Sequence, residues 1–176
     1  MEPAVSEVAI LGRSNVGKSS FLNALCQREG LAKVSQTPGR TRTINIFAAE
    51  HLRWIVDLPG YGYAAGPAEA REGWAAMIEG YLLSRRTLRG IYLLIDSKVG
   101  ATKLDHQMRH WFKTQNLAHR IVGNKIDQIK PSQRAGQQKA IAHDLRLQIQ
   151  EIAWISATEG AGMPLLRQEI SHLLQF

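Results

Sequence analysis

Cysteine is nearly absent from this chain: Cys26, alone among 176 residues, excludes an internal disulfide and any cysteine-rich zinc site. On a helix it reads as a small core residue ahead of a reactive thiol. Long hydrophobic runs are missing too, and none approaches the length that crosses a bilayer. The first residues, Met1-Glu2-Pro3-Ala4, offer neither the basic region nor the apolar core of a signal peptide. A cytosolic (cytoplasmic) protein with no membrane partner is expected. Acidic residues are in deficit, 15 against 22 Lys and Arg, which leaves a formal charge of +7. That excess favours phosphate-rich partners, RNA or DNA above all, although charge alone accounts only for solubility and non-specific attraction. Neither an internal repeat nor a low-complexity segment interrupts the chain. Hydrophobic residues make up 44% and charged residues 21%, an ordinary globular balance, long enough for one packed domain over 1–176 and short for two.

What is present is alternation. Apolar, β-branched runs alternate with longer segments of helical period, the pattern of a parallel sheet covered by helices on both faces. The runs predict strands over 5–11, 43–48, 52–56, 90–95, 120–123 and 151–155, and helices over 18–28, 71–86, 104–115, 132–148 and 163–174. Only Ala49-Glu50-His51 separates the second and third strands, short enough for a hairpin and hence one antiparallel edge. The fold class is therefore α/β, a three-layer doubly wound sheet of about six strands, mostly parallel. Pro131 and Pro164 fit first-turn helix positions, where a missing N–H does no harm. Two stretches stay irregular, 29–42 and 58–70, and the unusual residues collect in such strand-end loops, where doubly wound sheets bind ligands.

Gly12-Arg13-Ser14-Asn15-Val16-Gly17-Lys18-Ser19-Ser20 lies directly after an apolar strand and directly before a helical segment. That is the context of a phosphate-binding P-loop. Gly12 and Gly17 let the backbone turn tightly so that successive N–H groups point at phosphate oxygens. Lys18 adds a full positive charge, the helix N-terminus adds amide donors and a dipole, and Ser19 supplies a hydroxyl for a magnesium ion. A chance glycine-rich turn capped by serine is the competing reading, and the strand before and helix after stand against it.

Two further motifs follow in order. Asp57-Leu58-Pro59-Gly60 closes the second hairpin strand, where an aspartate can hold a magnesium-bound water and a glycine N–H can touch the terminal phosphate. Asn124-Lys125-Ile126-Asp127 follows the strand 120–123. A carboxylate at Asp127 can accept two parallel N–H bonds from guanine N1 and its exocyclic amine, a pair that adenine cannot offer. Asn124 would tie this loop to the P-loop, and the aliphatic stem of Lys125 would lie across the base. For the tetrapeptide by itself, a polar turn capped by Asp remains the alternative. Ile155-Ser156-Ala157-Thr158, ending the last strand, would back the base with a main-chain N–H near its O6.

In this order the motifs resemble the Ras-like, translation-factor class of P-loop GTPases. Three stretches narrow the resemblance to the EngB family, also called YihA or YsxC, within the TrmE-Era-EngA-EngB-like class: the P-loop itself, Thr37-Pro38-Gly39-Arg40-Thr41, and Asp57-Leu58-Pro59-Gly60-Tyr61-Gly62-Tyr63-Ala64. The last two are specific to that family, whereas the P-loop and Asn-Lys-Ile-Asp are shared by many GTPases. The resemblance covers nearly the whole chain. It implies a monomeric GTPase that binds GTP or GDP with Mg2+ and hydrolyses GTP slowly. It further implies a nucleotide-controlled switch in assembly of the large ribosomal subunit, touching that subunit or its precursor, and a need for the protein in cell division and septation. By the same resemblance Gly39, Arg40, Thr41, Arg42 and Thr43 form switch I, with Thr41 on the magnesium alongside Ser19 and, through a water, Asp57. Switch II runs from Leu58 to about Ala70, and both switches should order with GTP and loosen with GDP. There are three departures. The first strand starts almost at once, where the family usually has a short extension; Arg42 stands where relatives often carry glutamine, and Asn124 where many carry threonine.

A Ras-like enzyme positions its attacking water with a glutamine just after the Asp-x-x-Gly motif. Tyr61 stands there, and a phenol is a poor substitute, so slow intrinsic turnover and outside help are expected. Related GTPases with an asparagine at the position of Asn15 bind a monovalent cation, and potassium (K+) there would neutralise charge between the phosphates. Stabilisation of the loop by Asn15 is the equal alternative. Lys18, Thr41, Gly60 and Asn15 make up the expected catalytic set. Arg40 and Arg42 are read first as solvated or partner-facing residues and second as ligands of the γ-phosphate. Basic residues gather at Lys33, Arg40, Arg42 and Arg53, at Arg85, Arg86 and Arg89, and at Lys98, Lys103, Arg109 and Lys113, many of them as solvated helix faces. Tyr61 and Tyr63 are expected to pack switch II against a neighbouring helix rather than stack on bases, and Trp74 and Trp111 to face the core. His106 and His110 share a helix face, but with no third ligand apparent a zinc site is not expected. Two rival functions remain: a switch on the division machinery without ribosome binding, and an ATP-dependent kinase, against which Asn124–Asp127 stands.

Overall fold

The sheet is built around β1 (Ser6–Gly12), every residue of which is buried. A strand buried along its whole length must be covered on both faces, and its side chains divide accordingly. Ala9 and Leu11 enter one core, Val8 and Ile10 the other. The computed structural model describes residues 4–28, 30, 43–49, 52–61 and 68–175. Parallel neighbours flank β1, with β3 (Arg53–Asp57) on one side and β4 (Leu88–Asp96) on the other. Strand β2 (Asn45–Ala48) pairs antiparallel with β3, while β5 (His119–Asn124) and β6 (Ile152–Trp154) continue parallel from β4. The order β2-β3-β1-β4-β5-β6 is the mostly parallel, six-stranded sheet with one antiparallel edge that the alternation predicts.

Helices cover both faces. Phe21, Leu22 and Leu25 of α1 (Lys18–Cys26) and Leu166, Ile170 and Leu174 of α5 (Met163–Leu174) join the core of Val8 and Ile10. Ile78 and Leu82 of α2 (Ala68–Ser84), Phe112 of α3 (Lys103–Thr114) and Ile141 of α4 (Pro131–Asp144) join that of Ala9 and Leu11. Spacings of three and four residues put each set on one helix face. Each fully buried Leu, Ile or Phe contributes roughly 1.5–3 kcal/mol of transfer free energy, so these two stripes carry much of the stability. Pro131 and Pro164 both lie in first turns, as their chemistry requires. Among the described residues no helix is long and apolar enough to cross a membrane.

Four helices end earlier than their periodicity suggests, three of them for one reason. After α1, α3 and α4 the chain enters the left-handed region at Gln27, Asn116 and Arg146, with φ of 52°, 55° and 53°. The amide one residue further then donates back five positions, Arg28 to Asn23 at 3.1 Å, Leu117 to Phe112 at 2.8 Å and Leu147 to Ala142 at 2.9 Å. This is the Schellman closure, usually signalled by glycine. None of the three positions is glycine; Asn116 is the next most favoured residue at such a stop, whereas Gln27 and Arg146 give no signal.

Arg53, Arg85 and Arg109, counted above as parts of basic clusters, serve the interior instead, as does Arg167. Arg53 donates to the carbonyls of Leu174 and Gln175 at the end of α5, at 2.7 and 2.5 Å. Buried Arg109 donates to the Leu145 carbonyl at the end of α4, and Arg167 reaches the Leu25 and Ala24 carbonyls of α1 at 3.2 and 3.0 Å. A cation at a helix C-terminus satisfies orphan carbonyls and meets the negative end of the dipole. Arg85 pairs with the fully buried carboxylate of Glu7, which also accepts the hydroxyls of Tyr81 and Thr87. Arg86, Arg89, Lys98, Lys103 and Lys113 remain exposed.

Candidate functional site

The C-terminal ends of β1, β3, β4 and β5 and the chain leaving β6 open on one side of the sheet. The connections reverse there, because β1 lies between β3 and β4. Between β1 and α1 the loop Gly12–Ser20 bends through Asn15 at φ 67° and Gly17 at φ 91°. Gly17 is required twice over, since a Cβ there would also lie 2.6 Å from Asn124 Nδ2. Among the described residues no side chain caps α1, so the amides of its first turn, at Lys18, Ser19 and Ser20, present their dipole to whatever anion the loop holds. Val16 is buried beneath the loop, Arg13 and Ser14 are half-buried, and Asn15 is exposed at the rim.

The turn after β3 is stitched to this loop. The Ser14 amide donates to the Tyr61 carbonyl at 3.0 Å, and the Tyr61 amide donates to the Gly12 carbonyl at 3.3 Å. Leu58 and Pro59 are buried, and the Cα of Gly60 comes so near that a Cβ would lie 3.3 Å from the Ser14 amide. Buried Asp57 pairs with the ammonium of Lys18 through Oδ1 and accepts Asn45 Nδ2 at 3.3 Å through Oδ2. A carboxylate this deep needs a cation beside it, and Lys18 supplies one that phosphate oxygens can equally well attract. The Ser19 hydroxyl, half-buried in the first turn of α1, and the Asp57 carboxylate are hard oxygen donors of the kind magnesium prefers.

The 124–127 segment closes the other side. Buried Asn124 donates from Nδ2 to the Val16 carbonyl at 3.0 Å and accepts the Ala157 amide at Oδ1 at 3.1 Å, joining three loops through one side chain. The expected tie to the P-loop is thus present. Lys125, at φ 65°, extends its ammonium to the Asn15 carbonyl at 2.7 Å and to Asp96 Oδ2 at 2.6 Å. Ile126 donates its amide to the Ile155 carbonyl at 3.2 Å, and the fully buried Ser156 hydroxyl accepts the Glu159 amide at 3.0 Å. Asp127 Oδ1 is buried and, among the described residues, receives no hydrogen bond. A carboxylate oxygen in that state is costly unless a donor arrives, and a paired N–H edge such as guanine's fits it.

Tyr61 takes no part in that pocket with its side chain. Its buried hydroxyl donates to Asp105 Oδ1 at 2.6 Å, while Asp105 Oδ2 accepts the Thr102 amide and hydroxyl at 2.8 and 2.7 Å as the capping box of α3. Burial, with the Asp105 carboxylate beside it, pushes the phenol far above the ordinary tyrosine range, so it stays a donor. Packing against a neighbouring helix, as expected for this tyrosine, is what occurs, and that helix is α3.

The remaining candidates fall into place as follows. Lys33, Gly39, Arg40, Thr41, Arg42 and Tyr63 lie outside the described residues, as does the side chain of Trp74; Thr43 is exposed just ahead of β2. Trp111 is half-buried against the core beside Phe112. His106 pairs with Asp144 at 2.9 Å, and the described residues contain no cluster of three or more His, Cys, Asp or Glu around a common point. Cys26 is half-buried against the α1–α5 core, and burial pushes its thiol upward, away from reactivity. Sequence reasoning missed Asp96 and Asp105. The Thr102-x-x-Asp105 spacing was a legible capping signal, but nothing in it named Tyr61 as a second partner.

Comparison with known proteins gives the same picture from another direction. A family model described as a 50S ribosome-binding GTPase matches residues 7–125. The "Probable GTP-binding protein EngB" of Pelotomaculum thermopropionicum is 47% identical over 159 residues, covering 90% of this chain and 80% of that protein. A crystal structure of "a probable GTP-binding protein engB" superposes with a TM-score of 0.76 at 22% identity, covering 97% of this chain and 99% of the other. Era in complex with MgGDPNP and nucleotides 1506–1542 of 16S ribosomal RNA gives a TM-score of 0.72 at 27% identity, covering 98% of this chain and 57% of the other. The phosphate loop, the aspartate turn and most of the sheet lie within the matched span, and the chain belongs to the EngB family of GTP-binding proteins, a family of GTPases.

Proposed function

We propose that the chain acts as one monomeric, cytoplasmic GTPase domain over 1–176 that reports its nucleotide state to the large ribosomal subunit or its precursor, and that normal cell division depends on this. Guanine nucleotide sits with its phosphates against the amides of Gly12–Ser20 and with its base on Asn124–Asp127, backed by Ile155–Ala157. The unpartnered oxygen of Asp127 is the observation that carries the choice of guanine. Ser19, Thr41 and, through a water, Asp57 would hold Mg2+, which when bound neutralises charge on the β- and γ-phosphates.

Hydrolysis then follows from what the residues hold. Lys18 exchanges the Asp57 carboxylate for phosphate oxygens, and the Gly60 amide meets the terminal phosphate. Water attacks the γ-phosphorus, the bond to the bridging oxygen breaks, and the charge gathering on that oxygen and on the transferred group is met by Lys18 and the loop amides. With its hydroxyl committed to Asp105, Tyr61 does not orient the water, and slow intrinsic turnover is expected. Thr41 in switch I and the chain after Gly60 in switch II would order around GTP and loosen around GDP.

The large subunit is supported by the description of the matched family, and a ribosomal RNA partner more generally by the 16S ribosomal RNA bound to Era and by the charge of +7. Cosedimentation of the purified chain with 50S-sized particles tests it, comparing a non-hydrolysable GTP analogue with GDP across a salt series. Association under the GTP analogue that survives moderate salt is expected. Binding that is absent under the GTP analogue, or present only at low salt in both nucleotide states, would point instead to a switch on the division machinery.

A further inference from the structure

Asp96 ends β4 and is almost wholly buried. Its Oδ1 accepts the amides of Lys98 and Val99 at 3.0 and 3.3 Å, so the carboxylate is fixed by its own turn before it meets anything else. The second oxygen, Oδ2, lies 2.6 Å from Lys125 Nζ. The same ammonium donates to the Asn15 carbonyl at 2.7 Å. Lys125 is thereby clamped at its tip between the end of β4 and the phosphate loop. Its stem runs close over Gly17, with Cε 3.5 Å from where a Cβ would stand. Ordinarily a lysine stem is among the most mobile of side chains and must be ordered when a ligand closes on it. Here protein partners alone supply that ordering, at a pair whose members expose 22% and 9% of their side chains and are only weakly screened.

We infer that Asp96 is a positioning residue for guanine nucleotide binding: by holding the Lys125 ammonium it pre-orders the apolar stem on which the base rests, and so raises affinity for GDP and GTP alike. The inference builds on the reading of Asn124–Asp127 as the base loop. It adds the third segment, the β4 end, that sets the geometry of that loop. Asp96 touches neither phosphate nor base and acts through Lys125, so its loss should speed nucleotide release and leave the chemical step alone.

The test uses the full chain and the dissociation of fluorescent GDP and GTP analogues. Asp96→Asn keeps an oxygen for the Lys98 and Val99 amides and removes the charge. Kd for both nucleotides should rise about tenfold, mostly through faster release, with kcat at saturating GTP and Tm unchanged. Asp96→Ser, whose hydroxyl also accepts from the turn, serves as the second variant. In a Lys125→Met background, which keeps an apolar stem without an ammonium, Asp96→Asn should add nothing. Unchanged affinity in both Asp96 variants, or losses that simply add to that of Lys125→Met, would overturn the role. A parent chain that binds ADP as well as GDP would instead strike the base-loop reading and this inference with it.

Discussion

His119 opens β5 half-buried, its Nδ1 3.1 Å from the Leu117 carbonyl and its ring centroid 5.0 Å from that of Phe112. Burial pushes its imidazole below the ordinary value of 6.5, and Arg109 and Lys113 push the same way against a carbonyl that favours the proton. Above that value the ring is neutral in both folded and unfolded chains and stability is unaffected. As pH falls below it, the unfolded chain takes up a proton that the folded chain resists, and stability is lost until the lower folded value is passed. Between about pH 7 and 5.5, Tm of the parent should therefore fall more steeply than that of His119→Gln. Parallel thermal melts over this range would refute the assignment. At the same scale, the sequence announced what Asp127 and Lys18 can do, because carboxylate and ammonium chemistry travels with the residue. It did not announce where the Tyr61 hydroxyl goes, because Asp105 lies 44 positions away and reaches it only after α3 has docked.

Among the elements, α2 links the Asp57–Gly60 side of the site to the opposite end of the sheet. Its last turns are held by Glu7, near the start of β1, through Tyr81 and Arg85, with Arg85 also 5.4 Å from the Trp54 ring centroid. Arg85 exposes 32% of its side chain, so solvent screens part of the pair, yet Glu7 is fully buried and keeps Tyr81 and Thr87 as donors. Arg85→Met is expected to lower unfolding free energy by about 1 kcal/mol. Guanine nucleotide affinity should not change, since the cluster sits at the far end of β1 from the phosphate loop. Chemical denaturation paired with a GDP titration reads both; a large affinity loss without destabilisation would place Glu7 in the nucleotide machinery instead. Strand and helix existence was legible from period alone, whereas helix ends were not. Gln27, Asn116 and Arg146 terminate helices in left-handed backbone without the glycine that usually marks it, because packing beyond the helix dictated the turn.

Across the whole molecule, the catalytic question narrows to Asn15. Its carbonyl is engaged by Lys125 while the residue stands exposed at the loop rim, and Tyr61 is committed to α3. We expect GTP turnover to be faster in potassium chloride than in sodium chloride at equal ionic strength, as a cation recruited beside the phosphates would supply what the phenol does not. Equal rates would assign Asn15 to loop stability alone. The net charge of +7 belongs to this scale as well, and its distribution differs from a tally of basic residues. Arg53, Arg109 and Arg167 close helix ends and Arg85 neutralises Glu7, whereas Arg86, Arg89, Lys98, Lys103 and Lys113 are among the described cations that face solvent.

Alternation of apolar runs, the glycines and lysine of Gly12–Ser20, and the carboxylates of Asp57 and Asp127 determined fold class and nucleotide chemistry from sequence alone. Periodicity and functional-group chemistry are local properties and survive without coordinates. Tertiary structure decided the partners: Asn124 spanning Val16 and Ala157, Lys125 clamped by Asp96, Tyr61 withdrawn to Asp105, and arginines turned inward to helix ends. Each of those contacts joins residues far apart in the chain. A long polar side chain has many reachable partners, and only the packed sheet and helices select one.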